Sequence, residues 1–196
     1  QPVSLLSSMQ RCLAAGLLVV SFAGQVQAGR ACNEPQDLKP ETVEKSMTLA
    51  WKTLQALDAS GAKVVVMARA GQDLSKYGVR YSHLGFVYRQ ATADGGHVWR
   101  VLHKLNLCGT AESAIYRQGL GEFFLDDLWQ YEAAWVVLSP QAQSAMLRVL
   151  QDAQQSLVLH QPRYNMVAYP WAEKYQQSNQ WAIETLAFAM TAGTAA

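Results

Sequence analysis

The sequence predicts an α+β fold: a small, mainly antiparallel sheet packed against helices. Three observations predict it. An apolar stripe at helical spacing opens the folded part. Two β-rich runs, Tyr81–Tyr88 and His97–Leu107, flank an Asp94-Gly95-Gly96 turn. A Ser-Pro start and a second helix-like segment close the chain.

The N-terminus precedes that fold. Met9 is followed by Gln10 and Arg11, then by the apolar run Cys12–Gly24 and by Val26-Gln27-Ala28. This order of charge, short apolar run and small residue is that of a secretory signal peptide. The run is too short for a spanning helix, which needs about 20 residues. Cleavage is expected after Ala28, so residues 1–28 are upstream residues plus signal. Gln1–Ser8 precede the plausible start at Met9 and are set aside from the fold. Residues 29–196 then form one domain, large enough for a real core. The implied location is periplasmic or secreted.

The mature part balances 15 basic against 15 acidic residues. That argues against nucleic acid as a partner, which a basic excess would signal. With no second long apolar run, no membrane span is expected after signal cleavage. Cys12 leaves with the signal. Cys32 and Cys108 remain, an even pair in an oxidising compartment, and are expected to form a disulfide. Gly29-Arg30-Ala31 does not suit a lipid anchor at Cys32.

The elements follow in order. Residues 33–40 are a polar lead-in. Thr42–Leu57 is a helix, with Val43, Met47, Ala50, Leu54 and Leu57 on one face and Pro40 and Gly61 as punctuation. Val64–Met67 is a buried strand. A Gly-containing loop runs from Ala70 to Arg80. Tyr81–Tyr88 and His97–Leu107 form a hairpin. Ser113–Arg117 is a further strand, broken by Gly119-Leu120-Gly121. Glu122–Tyr131 fits a short helix or a loop. Ala133–Leu138 is a strand ended by Ser139-Pro140, which starts a helix over Gln141–Leu159. Residues 163–177 are an aromatic-rich loop. Ser178–Met190 is a last helix, apolar on most sides and so expected to be buried.

Several side chains could carry chemistry. In a strand, His83 shares a face with Tyr81 and Gly85, and Gly85 leaves room beside the imidazole. His103 on the partner strand meets His83 if the register allows. An imidazole base needs a second group to fix its tautomer, and His103 could be that group. Ser178 opens the last helix, where backbone N–H groups favour an anion. Serine is equally a preferred N-cap, so capping and catalysis stand as alternatives there. Tyr164, Tyr169, Trp171, Tyr175 and Trp181 cluster in sequence near Ser178, as loop packing or as the wall of a groove for glycan or peptide. Arg69, Asp73, Arg80 and Tyr81 flank His83 and could line the same groove, while a solvated ion pair is the role that Arg69, Asp73 and Arg80 more commonly fill. His97, His103 and His160 lack metal-ligand spacing, and no metal or cofactor is expected.

The block Lys63–Arg69, the loop to Arg80 and the run Tyr81-Ser82-His83-Leu84-Gly85-Phe86-Val87 resemble the front half of the circularly permuted NlpC-type, papain-like hydrolases. The chain also looks like a family of exported bacterial proteins of unassigned function with this layout. The resemblance implies His83 as base, His103 as orienting group and residue 178 as nucleophile, acting on amides of peptidoglycan-type peptides. It departs at position 178, where a cysteine is expected and a serine stands. A serine hydroxyl stays protonated at neutral pH and needs a well-placed base. The resemblance therefore leaves three readings: a serine enzyme, an inactive relative that binds through the same groove, or a Ser178 that only caps its helix.

Overall fold

The computed structural model describes residues 38–192 apart from 127. A five-stranded antiparallel sheet runs in the order β4-β3-β2-β1-β5. Its strands are β1 (Val64–Arg69), β2 (His83–Ala91), β3 (His97–Asn106), β4 (Ser113–Gly119) and β5 (Ala133–Val137). Among the described residues four α-helices accompany it: α1 (Pro40–Ser60), α2 (Leu120–Phe124), α3 (Pro140–Gln151) and α4 (Ser178–Ala192). The fold class is the α+β arrangement the patterning predicts.

Register decides what each face carries. Val65, Met67 and Arg69 of β1 pair with Val87, Gly85 and His83 of β2. Val87 pairs with Val101 of β3, and His103 pairs with Tyr116 of β4. Because side chains alternate, these residues share one face. The other face carries Val64, Phe86, Tyr88 and Leu102.

Each face has its own core. On the first, Val65, Met67, Val87, Trp99 and Val101 pack with Ala50 and Leu57 of α1 and with Leu120, Phe123 and Phe124 of α2. On the second, Val64, Phe86, Tyr88 and Leu102 pack with Met146, Val149 and Leu150 of α3 and with Trp181, Ala182 and Ala189 of α4. A sheet covered by helices on both sides needs apolar residues in both alternation sets, which is why β1 reads as a continuous run.

Polar groups lock the layers. Asp58, near the end of α1, accepts from Trp99 Nε1 at 2.8 Å and lies 2.8 Å from His97 Nε2. Gln143 Oε1 accepts the backbone N–H groups of Lys63 and Val64 and so ties α3 to β1. Arg117 donates to Tyr88 Oη and to Leu150 O across the second core. Gly61 closes α1 at φ 68°, a left-handed conformation that suits glycine.

Some element bounds differ from the sequence-based expectation. The buried stripe of α1 is Ser46, Ala50, Thr53 and Leu57, while Met47 is 39% exposed. The helix that starts at Ser139-Pro140 stops at Gln151, because the Asp152 carboxylate turns to accept the N–H groups of Gln154 and Gln155. A short 3₁₀ turn at Gln155–Leu157 follows. Gly119 does not simply end a strand. It joins β4 to α2, with its N–H donating to Glu122 Oε2. The last helix is less buried than its composition suggests, with Ile183 67% exposed. Among the described residues, no helix is long and apolar enough to cross a membrane.

Candidate functional site

The strand register brings His83 and His103 together. His83 Nε2 lies 2.9 Å from His103 Nδ1, and His103 Nε2 lies 2.8 Å from Gln118 Oε1. A carbonyl oxygen only accepts, so His103 donates through Nε2 to Gln118. Its Nδ1 is then an acceptor, and His83 donates through Nε2. This leaves Nδ1 of His83 as the accepting end of a three-residue chain. Gly85 makes the approach feasible: a Cβ there would stand 2.9 Å from the Cβ of His103.

The surroundings keep both rings neutral. His103 is fully buried, and burial lowers its pKa to about 4 against the opposing pull of Gln118. His83 is held well below the usual imidazole value, first by burial and then by Arg69 and His103. Phe123 of α2 packs against both rings, with centroids 6.2 and 5.3 Å away. Arg69 is buried over the Phe123 ring, donates to Phe123 O, and pairs with Asp126 at 2.7 Å. A guanidinium so engaged braces the site: Arg69 holds an ion pair, one of the two roles the sequence offered, but a buried one and with Asp126 as its partner. Among the described residues, no group of three metal-ligating side chains occurs.

Ser178 is not part of this cluster. The helix it opens packs through Trp181 on Phe86, at a ring separation of 5.9 Å, and on Tyr88 and Leu102. That is the face of the sheet opposite His83 and His103. The triad of Ser178, His83 and His103 is therefore corrected: the histidines meet, and the serine lies beyond the sheet. The capping alternative is also displaced by one residue. Trp181 N–H donates to Gln177 O at 3.2 Å, and Gln177 Oε1 accepts from Asn179 N–H at 3.1 Å. The N-cap is Gln177, and Ser178 is the first residue inside the helix.

The remaining candidates scatter. Trp181 is wholly buried in the second core, so it lines no groove. Tyr169 and Trp171 are 64% and 83% exposed on the loop before α4. Arg80 forms a two-pronged ion pair with Glu132 and borders a shallow groove of about 370 Å³ lined also by Val79, Trp129 and Gln130. Tyr81 is half-buried just before β2. Asp73 accepts from Ser75 N–H instead of pairing with an arginine. Cys108 lies between β3 and β4. Cys32 and the residues 1–28 read as upstream residues and signal lie outside the described residues.

Sequence reasoning missed Gln118 and Asp126. Gln118 sits diagonally across from His103, a relation visible only once β4 is in register. It also missed Lys104 on the opposite face. Lys104 is fully buried and donates to Gln161 O at 2.7 Å and Gln176 Oε1 at 2.6 Å. Gln176 in turn donates to Leu159 O and to Glu184 of α4. Burial brings the Lys104 pKa to about 8, against the opposing pull of Glu184. Lysine is rarely buried without partners, so a lysine in the same alternation set as Leu102, within a strand flanked by Val101 and Leu105, was the available signal.

Comparison with known proteins adds one match. No curated protein and no solved structure matches the chain significantly. A family model, DUF2145, described as an uncharacterized protein conserved in bacteria, matches residues 56–196. That span takes in the whole sheet, the paired histidines and α4, and the chain belongs to this bacterial family.

Proposed function

We propose that the chain is an exported envelope protein that binds a peptide or peptidoglycan-type ligand without cleaving it. One observation carries this reading: the hydrogen-bonded His83–His103 pair and Ser178 occupy opposite faces of the sheet. Attack on an amide needs nucleophile and base within hydrogen-bond reach. Here the base has an orienting group, and among the described residues no serine or cysteine is hydrogen-bonded to it: Ser46, buried on the stripe of α1 that covers the same face, has a hydroxyl without a hydrogen-bond partner. Ser82, next in sequence to His83, points away by strand alternation, and its hydroxyl accepts from Gln72 N–H at 2.9 Å.

What the histidines retain is recognition chemistry. A neutral imidazole whose Nδ1 accepts suits an amide N–H or hydroxyl of a ligand. The rigid chain through His103 to Gln118 fixes its direction. The envelope setting is supported by the signal-like N-terminus, and the ligand class by the resemblance to permuted NlpC-type proteins. The expected Cys32–Cys108 disulfide belongs to the same proposal.

The test uses the protein purified from the periplasm. Muropeptides incubated with wild type and with Ser178→Cys are expected to be recovered intact by mass spectrometry. Calorimetry is expected to detect muropeptide binding that His83→Ala weakens at least tenfold. Release of peptide fragments by the wild type, lost in His83→Ala, would overturn the proposal. So would binding indifferent to His83.

A further inference from the structure

Strand β5 closes one side of the sheet, and among the described residues no strand pairs with its outer edge. Residues 133–138 are an unbroken apolar run without charge, glycine or proline. Ala133 and Trp135 lean on the first core and Leu138 on the second, and between them Val136 is 66% exposed and Val137 49%. Val136 pairs with Val66 and Val137 with Val65, so the exposed apolar side chains stand on both faces of this edge. Sheet edges are ordinarily blunted by a lysine, a proline or a bulge, because their open N–H and C=O groups template another strand. The register of β5 on β1 is continuous, and the strand carries none of these devices.

We propose that β5 pairs antiparallel with β5 of a second copy of the chain about a two-fold axis, joining the two sheets into one. Residues opposite each other in an antiparallel ladder point their N–H and C=O groups the same way, so self-pairing joins positions of equal parity. With Trp135 on the axis every residue of the strand pairs. Ala134 then stands opposite Val136 of the second copy, and Ala133 opposite Val137. The next permitted registers put Ala134 or Val136 on the axis and leave part of the strand unpaired.

The strand is complementary to itself under this operation. Its small residues fill one half and its β-branched residues the other, so each alanine meets a valine, and the two Trp135 rings form the central cross-strand pair. The flanking charges stand at the ends of the strand: the Arg80–Glu132 ion pair before Ala133, and exposed Lys63 two residues before the Val65–Val137 pair. A two-fold carries each end to the opposite end of the copy. Glu132 therefore comes to the end that carries Lys63, and none of these charges meets its own copy. A groove of about 520 Å³ along α1 reaches Tyr131, just before the strand, and is lined by both signs: Glu41, Glu44, Lys45 and Lys52. That balance suits a surface that must face itself. Five paired residues and these flanks make a small, reversible contact, with a dissociation constant on the order of 10 µM. Dimerisation needs no ligand at the His83–His103 pair.

Sedimentation equilibrium of the protein lacking residues 1–28 tests this. The wild type is expected to pass from monomer to dimer as its concentration rises. Val136→Lys and Ala134→Glu are each expected to weaken the association at least tenfold. An equimolar mixture of the two variants is expected to recover it, because the new amine of one chain then faces the new carboxylate of the other. Melting curves at high dilution show whether the variants fold. If Ala134→Glu melts early, Val137→Lys mixed with Ala133→Glu makes the same comparison one position along. A wild type that stays monomeric at every concentration overturns the proposal. So does association that Val136→Lys leaves intact, or that the mixture of folded variants fails to recover. Hydrogen-exchange protection of the outward β5 amides that persists in the dilute monomer would assign the edge to another segment of the same chain and overturn the dimer.

Discussion

His83 and His103, twenty residues apart, share one hydrogen bond of 2.9 Å because β2 and β3 pair in a register that places both on the α2 face. The geometry fixes their protonation. An imidazolium at His103 would put a positive charge in an apolar layer beside Phe123 and near Arg69. Neutral rings avoid that charge, and protonating them costs stability.

This gives a pH dependence. In the unfolded chain His103 titrates near 6.5, and in the folded chain near 4. Between those values the unfolded state binds more protons, so stability falls as pH drops through the window. The full shift corresponds to about 3 kcal/mol. Urea unfolding at pH 7, 5.5 and 4.5 is expected to show progressive loss, and His103→Gln to flatten it. Equal slopes for both proteins would refute the assignment. Ring ¹⁵N shifts should show His103 protonated on Nε2 at pH 7.

Gly85→Ala tests the close approach of the two strands. A Cβ would meet His103 Cβ at 2.9 Å, Leu102 O at 3.1 Å and Val101 Cγ1 at 3.2 Å. Two of those three neighbours are backbone or a Cβ, and neither can swing aside. The strain of such overpacking is about 1–3 kcal/mol. Denaturant unfolding should show a loss in that range, together with shifted ring resonances of His83 and His103. A variant as stable as wild type, with unshifted rings, would contradict the geometry.

The buried amine on the other face has a measurable role as well. Lys104→Met removes the donors to Gln161 O and Gln176 Oε1. Gln176 Oε1 keeps Gln161 N–H at 3.1 Å, whereas Gln161 O loses its charged donor. The expected loss is about 2 kcal/mol. Amide exchange of residues 159–177 should quicken, while that of α1 should not. Lys104 has a folded pKa near 8, below its unfolded value near 10.5, so its contribution to stability grows as pH rises across that interval. The Met variant should lack that slope.

Much of this arrangement was legible in the chain. Alternation in Tyr81–Tyr88 and the Asp94-Gly95-Gly96 turn gave the hairpin, but whether His83 meets His103 hung on the strand register, which the structure supplies. The side of the sheet on which α4 docks was not legible. A helix with apolar residues around most of its circumference names no face. Trp181 is buried and Ile183 exposed, although both are large and apolar. Packing of Trp181 against Phe86 settles the choice, and it carries Ser178 away from the histidines. Gln118 and Asp126 were invisible for a related reason. Each acts through a partner more than fourteen positions away, and neither residue type draws notice without the register.

The pairing of Cys32 with Cys108 is open to a direct measurement. Cys108 sits in the turn between β3 and β4, where Gly109 at φ 77° reverses the chain. A bridge from that turn to Cys32 would close a loop across α1, β1, β2 and β3, restricting the unfolded chain over a long stretch of sequence. The chain-entropy treatment assigns such a loop about 4 kcal/mol. Protein secreted to the periplasm should yield no free thiol on alkylation before reduction and two after it, once residues 1–28 have been removed. A tryptic map should contain one disulfide-linked pair holding both cysteines. Cys108→Ser should lower the urea midpoint in oxidising buffer and have little effect in the presence of reductant, where the wild type has already lost the bridge. Two alkylatable thiols in the native, unreduced protein would refute the bridge and leave α1 held to the sheet by the packing of Ala50 and Leu57 and by Asp58.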